Sequence, residues 1–130
     1  PVGPERFVID AAGAARLRGL AEAVADVAAR TAPDATVLAF PACVAVTFFA
    51  ARRPTGQYDY FFPGRPDGTQ VDALLRGLEP APPAVAVTCT GEGSQLTGAW
   101  DYYGQMAAFL DRRYRVAATY PPFEVREVQR

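Results

Sequence analysis

The chain has 130 residues, of which 50% are hydrophobic and 21% charged, so its composition is that of one folded domain and not of a disordered segment. Its formal net charge of -1 excludes the strongly basic surface that nucleic-acid binding requires. The sequence contains neither His nor Lys, which removes the usual general base, the zinc-binding imidazole and the Schiff-base amine. We therefore assign it no catalytic residue, no metal, no cofactor and no nucleic-acid partner.

The N-terminal part predicts a short strand at 6–10, followed by an amphipathic helix that ends before Pro33. The helix is indicated by apolar residues that recur at spacings of three and four, which are Leu17, Leu20, Val24 and Val27. We expect these four side chains to form the face that packs on the core.

Two unbroken apolar runs, at 36–40 and 84–90, are typical of strands buried on both faces of a parallel sheet. The segment 42–51 between them fits a strand by its β-branched residues and a helix by its length. We favour a helix there, because consecutive parallel strands need a crossover connection.

Residues 52–68 are rich in Pro, Gly and aromatic residues and have no regular period. Irregular segments of more than about a dozen residues inside a compact domain usually carry function or are mobile. We therefore predict that residues 52–64 of this loop form the working surface. The alternative is that its aromatic side chains only fold back to close the core.

The C-terminal part predicts a helix at 71–78 that ends at the proline-rich stretch 80–83, and a second helix after residue 98. The second helix has an apolar face made of Trp100, Tyr103, Met106, Leu110 and Tyr114. A strand at 115–119 is followed closely by 123–128, whose alternation of apolar and polar residues predicts an edge strand. Since the connection is too short for a crossover, these two strands should form an antiparallel hairpin.

Strands that alternate with helices predict an α/β domain. We expect a three-layer Rossmann-like sandwich over residues 1–130, with a mostly parallel sheet and a C-terminal antiparallel hairpin at one edge. The glycine-rich loop after the strand at 84–90 matches neither of the common phosphate-binding motifs.

Candidate binding residues lie in two segments that combine aromatic rings with charged or polar groups, a pairing suited to sugar rings, lipid-phosphate head groups or a protein surface. They are Arg52, Arg53, Tyr58, Asp59, Tyr60, Glu92, Trp100, Asp101 and Tyr102. If the two segments lie together in the fold, they make one rim. Cys43 and Cys89 both have apolar neighbours, and we expect buried free thiols.

A series of short motifs in a fixed order carries a family resemblance. They are Pro41, Phe48-Phe49, Arg52-Arg53-Pro54-Thr55, Tyr58-Asp59, Pro63-Gly64, Pro82-Pro83, Tyr114 and Phe123-Glu124-Val125-Arg126. In this order the sequence resembles the C-terminal soluble tail of bacterial membrane glycosyltransferases of the dolichyl-phosphate-mannose protein mannosyltransferase type. In that family the catalytic acidic residues lie in loops between membrane helices, so the resemblance assigns no catalytic residue to this chain.

The resemblance implies a non-catalytic accessory domain on the extracytoplasmic side of the membrane. Its parent would be a polytopic glycosyltransferase, to which it would be attached through an upstream membrane-spanning region of the same polypeptide. Its partners would be that region and a sugar acceptor or lipid-phosphate sugar donor. The start at Pro1, without Met and without a signal segment, led to the same interpretation of a fragment. A free-standing Rossmann-like small-molecule binder or enzyme, and a protein-interaction module, remain the alternatives.

Overall fold

The computed structural model describes residues 11–90 and 94–130, and the strand predicted at 6–10 lies outside them. The α/β alternation predicted from the sequence is confirmed. The helices are α1 (Ala11–Arg30), α2 (Val44–Phe49), α3 (Gly68–Leu78), α4 (Ser94–Tyr102) and α5 (Gly104–Arg113). The strands are β1 (Thr36–Phe40), β2 (Arg53–Pro54), β3 (Val85–Cys89), β4 (Tyr114–Tyr120) and β5 (Phe123–Val128).

Within the described residues the strands form a five-stranded mixed sheet in the order β2-β1-β3-β5-β4. Strand β1 pairs in parallel with β2 on one side and with β3 on the other. The remaining two pairings, β3 with β5 and β5 with β4, are antiparallel. The sheet is therefore parallel in its N-terminal half and antiparallel in its C-terminal half.

The expectation of a three-layer Rossmann-like sandwich with a mostly parallel sheet is wrong. The chain leaves β3, passes through α4 and α5, and returns as β4 in the same direction as β3, but one strand position away from it. The turn at 121–122 then reverses the chain, and β5 fills the vacant position in the antiparallel sense. The result is a split βαβ arrangement, in which the inserted strand separates the two parallel ones.

The hairpin of β4 and β5 is confirmed, but β5 is not the edge strand. It lies between β3 and β4, and Phe123 and Val125 on one of its faces are buried. The polar residues on its other face are largely covered too, because Glu124 and Arg126 bond to each other and to Thr88 of β3. Polar alternation therefore marked a partly buried ion pair here and not a solvent-facing edge.

Successive residues of β1 and β3 point to opposite faces of the sheet, and each face has its own core. Leu38, Phe40 and Ala86 belong to a cluster with buried side chains of α3, α4 and α5. Val37, Val85 and Val87 belong to a second cluster, with side chains of α1 and α2. The short α2 confirms the helix that was favoured for 42–51.

Helix α1 is turned relative to its predicted packing. Its fully buried line is Gly19, Ala23 and Val27, whereas Leu17 is 51% exposed. A Cβ atom at position 19 would overlap the carbonyl oxygen of Pro121 in the β4–β5 turn, so this close approach requires glycine. Small residues face the sheet because they let the helix approach it, and the larger aliphatic side chains are left at the margin.

Candidate functional site

The aromatic loop, residues 52–68, is fastened to the sheet at two points. Its first residues form β2, and Thr55 N–H donates to the Val37 carbonyl over 3.2 Å. Further along, the backbone N–H of Phe61 donates to the Pro41 carbonyl over 2.8 Å. Between and beyond these points the chain crosses the surface and ends at Asp67, whose side chain caps α3 at Gln70 N–H over 2.9 Å.

Adjacent aromatic residues of this loop have opposite surroundings. Phe61 is 2% exposed and packs against Phe40 and Tyr103, with ring centroids 5.1 and 5.7 Å away. Tyr60 and Phe62 on either side of it are 44% and 43% exposed, and their rings stack at 6.3 Å. The loop therefore closes the core with one ring and presents a stacked pair to solvent, so both predicted roles occur within three residues.

Beside this stacked pair lies an open depression of about 480 Å³, which we call the loop groove. It is lined by Gln57, Tyr58, Asp59, Tyr60, Gly64, Arg65, Pro66 and Gln70. A second depression shares Gln57, Tyr58 and Gln70 and continues along α3 to Leu74. The groove combines aromatic faces with two amides, a carboxylate and a guanidinium group, which are the groups that orient a polar ligand.

Three predicted site residues, Tyr58, Asp59 and Tyr60, line the loop groove. Tyr58 is half-buried against Phe61, with ring centroids 5.9 Å apart, so it both lines the groove and packs on the core. Gly64 has φ +91°, a left-handed conformation that side chains rarely adopt, and it lets the chain turn back toward Asp67.

Arg52 serves the fold and does not line the loop groove. Its guanidinium group donates to the carbonyl oxygens of Ala28 and Thr31 at the C-terminal end of α1, at 3.1 and 3.2 Å. It also donates to the Ala50 carbonyl and to the Thr31 hydroxyl. A cation at this position satisfies carbonyls that have no partner within the helix. Arg53 is exposed on β2 and is absent from the groove lining.

The second segment of predicted site residues also contains side chains with different surroundings. Trp100 donates its indole N–H to the Cys89 carbonyl over 3.1 Å and packs edge-on against Phe40 at 4.9 Å, so it supports the core. Asp101 and Tyr102 are exposed at the end of α4. Glu92 lies outside the described residues.

Tyr103 joins the two segments, as the rim hypothesis requires. It is fully buried, and its hydroxyl lies 2.5 Å from the Phe62 carbonyl oxygen and 2.6 Å from that of Pro66. Burial, and to a smaller extent the neighbouring Tyr102 phenol, raise the pKa of Tyr103, so the hydroxyl remains a donor. The end of α4 is thus fixed directly under the exposed part of the aromatic loop.

Sequence reasoning missed the three other groove residues with polar side chains, Gln57, Arg65 and Gln70. Gln70 had a signal, because Asp67 and Gln70 form a capping box in which the side-chain oxygen Oε1 of Gln70 accepts from Asp67 N–H. It also missed a polar cluster beneath Trp100. There Arg126, whose guanidinium lies 5.8 Å from the Trp100 ring, donates to Thr88 over 3.1 Å and to Glu124 over 3.3 Å.

The described part of the chain contains neither a candidate metal site nor a candidate membrane-spanning helix. Among residues 11–90 and 94–130, no three His, Cys, Asp or Glu side chains are grouped so that they could hold a metal ion. None of the helices described in the same ranges combines the length and the hydropathy of a membrane span. Comparison of the chain with protein-family models, curated proteins and solved structures gave no match in any of the three.

Proposed function

We propose that the chain is a non-catalytic accessory domain of a polytopic membrane glycosyltransferase that uses a lipid-linked sugar donor, and that the loop groove binds the sugar acceptor. In this proposal the domain lies on the extracytoplasmic side and follows the membrane-spanning part of the same polypeptide. The observation that carries the proposal is the exposed Tyr60–Phe62 stack beside the polar side chains of the groove.

A saccharide matches the chemistry of this surface. A sugar ring has an apolar face of C–H groups, which packs on an aromatic face, and a rim of hydroxyls, which need hydrogen-bond partners. The stacked pair supplies the aromatic face, and Gln57, Asp59 and Gln70 supply donors and acceptors in the adjoining groove. An open groove buries little of a ligand, so we expect weak binding, with dissociation constants of about a millimolar.

The experiment is a titration of the isotope-labelled chain with a mannose disaccharide and with a glucose disaccharide, followed by NMR chemical shifts. We expect concentration-dependent shifts at Gln57, Tyr58, Tyr60 and Gln70 for at least one of the two. The variant Phe62→Ala should weaken binding, because it removes half of the aromatic platform. Tyr102→Ala is the matched control, since Tyr102 is exposed to a similar degree but neither lines the groove nor belongs to the stacked pair.

The alternatives give different results in the same titration. A free-standing small-molecule binder should show its shifts around Asp101 and the segment that contains Glu92. A protein-interaction module should show none with either sugar. Absence of shifts in the groove residues at sugar concentrations of tens of millimolar would contradict the proposal.

The non-catalytic part of the proposal has a separate test. The isolated chain, incubated with a polyprenyl-phosphate sugar donor and candidate acceptors, should give no transfer above a control without protein. Turnover would show that the chain is itself an enzyme, whatever the groove binds.

A further inference from the structure

A second exposed surface is formed by α1 and α2. It is apolar, whereas the loop groove is polar. Phe48 and Phe49 at the end of α2 are 74% and 62% exposed, and their rings contact each other at 5.3 Å. Phe49 also lines an open depression of about 350 Å³ with Leu17, Leu20, Ala21 and Val24 of α1. We call these six residues the apolar strip.

We propose that the apolar strip inserts into the interface of an anionic lipid bilayer. This inference rests on the strip and its charges alone and does not depend on saccharide binding in the loop groove. Two adjacent phenyl rings that protrude from a helix end, beside aliphatic side chains of a second helix, form the kind of surface that embeds at the boundary between headgroups and acyl chains.

The charges around the strip are sorted by sign. At about 100° per residue, Arg16 and Arg18 lie on the two sides of Leu17, each about 100° around α1. On the same scale Glu22 and Asp26 lie about 140° and 180° away from Leu17. The acidic pair faces the other side of the helix, where Asp26 bonds to Arg30 over 2.7 Å and both carboxylates lie near Tyr120.

Arg16 and Arg18 are both exposed. Within residues 11–90 and 94–130, no carboxylate oxygen is within 4.0 Å of Arg16 or Arg18. One carboxylate, Asp59, lines the neighbouring depression behind Phe48. On the α1 side the margin of the strip is therefore cationic, which complements anionic headgroups.

The same charges argue against a second copy of the chain as the occupant. In a two-fold symmetric dimer the strip would face itself, and the cationic margins of both copies would meet. Like charges that face each other across an interface oppose association. A bilayer that contains anionic lipid covers the phenyl rings and neutralises the margin at the same time.

The experiment is co-sedimentation of the chain with vesicles of phosphatidylcholine alone and with vesicles in which about one third of the lipid is phosphatidylglycerol. We expect binding to the anionic vesicles that weakens as salt is raised. The double variant Phe48→Ser/Phe49→Ser should reduce the partition coefficient by about tenfold or more, because it removes both inserting rings. Neutralisation of one charge by Arg16→Gln should reduce it by about fivefold.

Phe62→Ser is the matched control, since Phe62 is an exposed phenyl of the aromatic loop and lies outside the apolar strip. It should lose the saccharide-induced chemical shifts and keep vesicle binding. The Phe48/Phe49 variant should keep the saccharide-induced shifts and lose vesicle binding. A thermal melt checks that each variant is folded. If the double variant does not fold, spin-labelled lipid in the vesicles should selectively broaden the resonances of Leu17, Phe48 and Phe49 in the unmodified chain.

Three results would overturn the inference. The first is that the unmodified chain does not bind anionic vesicles. The second is that the double variant binds them as well as the unmodified chain does. The third is a dimer in light scattering that the double variant converts to a monomer, which would assign the strip to self-association.

Discussion

The hydroxyl of Tyr103 lies 2.5 Å from the carbonyl oxygen of Phe62, and this contact joins the junction between α4 and α5 to the exposed part of the aromatic loop. The Tyr103 ring is buried among aromatic side chains, 6.0 Å from Phe40 and 5.7 Å from Phe61. A residue of the core thereby holds the backbone that presents the Tyr60–Phe62 stack. Tyr103 therefore helps to position the exposed Tyr60–Phe62 stack from the side of the core.

The first prediction concerns this contact. Tyr103→Phe keeps the ring and removes the hydroxyl, which leaves the carbonyls of Phe62 and Pro66 without that donor. We expect the free energy of unfolding to fall by about 1–2 kcal/mol, as it does when a hydrogen bond to buried carbonyls is lost. Urea unfolding followed by fluorescence measures it. Tyr102→Phe, at an exposed neighbour, should change stability by no more than about 0.5 kcal/mol, and equal effects of the two variants would contradict the assignment.

The second prediction separates the two kinds of aromatic residue in the loop. Phe61→Ala should cost about 3–5 kcal/mol, because it leaves a cavity beside Phe40 and Tyr103. Phe62→Ala, one residue later, should cost less than about 1 kcal/mol, because the ring is 43% exposed. Parallel urea titrations give both values. A large loss for Phe62→Ala would show that the stacked pair is a structural cover and not a binding platform.

The elements of this fold were largely predictable because their signals are local. Alternation, apolar runs and caps gave the strands at 36–40 and 123–128 and the helix capped by Asp67. The order of the strands was not predictable in the same way, because β5 pairs with β3 across a long sequence separation. The second strand of a C-terminal hairpin can lie outside, at the edge of the sheet, or inside, between the first strand of the hairpin and the rest of the sheet. The local sequence is compatible with both arrangements. In this fold β5 lies inside, where Arg126 forms a partly buried hydrogen bond with Thr88 of β3.

The third prediction tests Arg52 as a structural residue. Arg52→Ala should lower the free energy of unfolding by about 1–3 kcal/mol, because two carbonyls at the end of α1 lose a charged donor. Arg53→Ala should stay within about 0.5 kcal/mol, since Arg53 is exposed. Folded Arg52→Ala protein should still give the saccharide shifts of the unmodified chain. If it remains fully stable but loses those shifts, Arg52 contacts the ligand and our assignment is wrong.

The location of the candidate site was easier to predict from the sequence than the residues that line it. A long aromatic loop between two regular elements marks a surface, and three of the predicted residues, Tyr58, Asp59 and Tyr60, line the groove. Residue type alone does not tell which way an arginine or a tryptophan points. Arg52 turned to helix α1 and Trp100 to the Cys89 carbonyl, because unpaired backbone carbonyls there need donors.

The fourth prediction concerns the cysteines, which are both buried and unbonded, as expected from their apolar neighbours. Burial raises the pKa of Cys43, whose thiol donates to the Phe40 and Val87 carbonyls at 3.3 and 3.1 Å. Because both thiols are buried, native protein should react with iodoacetamide at least about a hundredfold more slowly than urea-unfolded protein, since reaction requires opening of the fold. Mass spectrometry counts the labels. Unlabelled protein two mass units lighter after denaturation would instead reveal a Cys43–Cys89 disulfide.

The last prediction is a dependence of stability on alkaline pH that passes through Tyr114. This phenol is 2% exposed and donates to the Pro83 carbonyl over 2.6 Å, and burial raises its pKa well above the ordinary value of 10.0. Above pH 10 the unfolded chain loses this proton while the folded chain keeps it. The unfolded state then binds fewer protons, so the free energy of unfolding must fall as pH rises.

Tyr114→Phe removes this titration, so the free energy of unfolding of the variant should fall less steeply as pH rises. A single group contributes a slope of at most about 1.4 kcal/mol per pH unit, so the difference between the two proteins should be visible between pH 10 and pH 11. At neutral pH the variant should be less stable by about 1 kcal/mol, because the Pro83 carbonyl loses its donor, and the gap should narrow at higher pH. Urea titrations at several pH values measure both, with Phe62→Ala as a control that alters an aromatic ring and no hydroxyl. Parallel stability curves for Tyr114→Phe and the unmodified chain would show that Tyr114 titrates alike in the folded and unfolded states, against the burial that the structure shows.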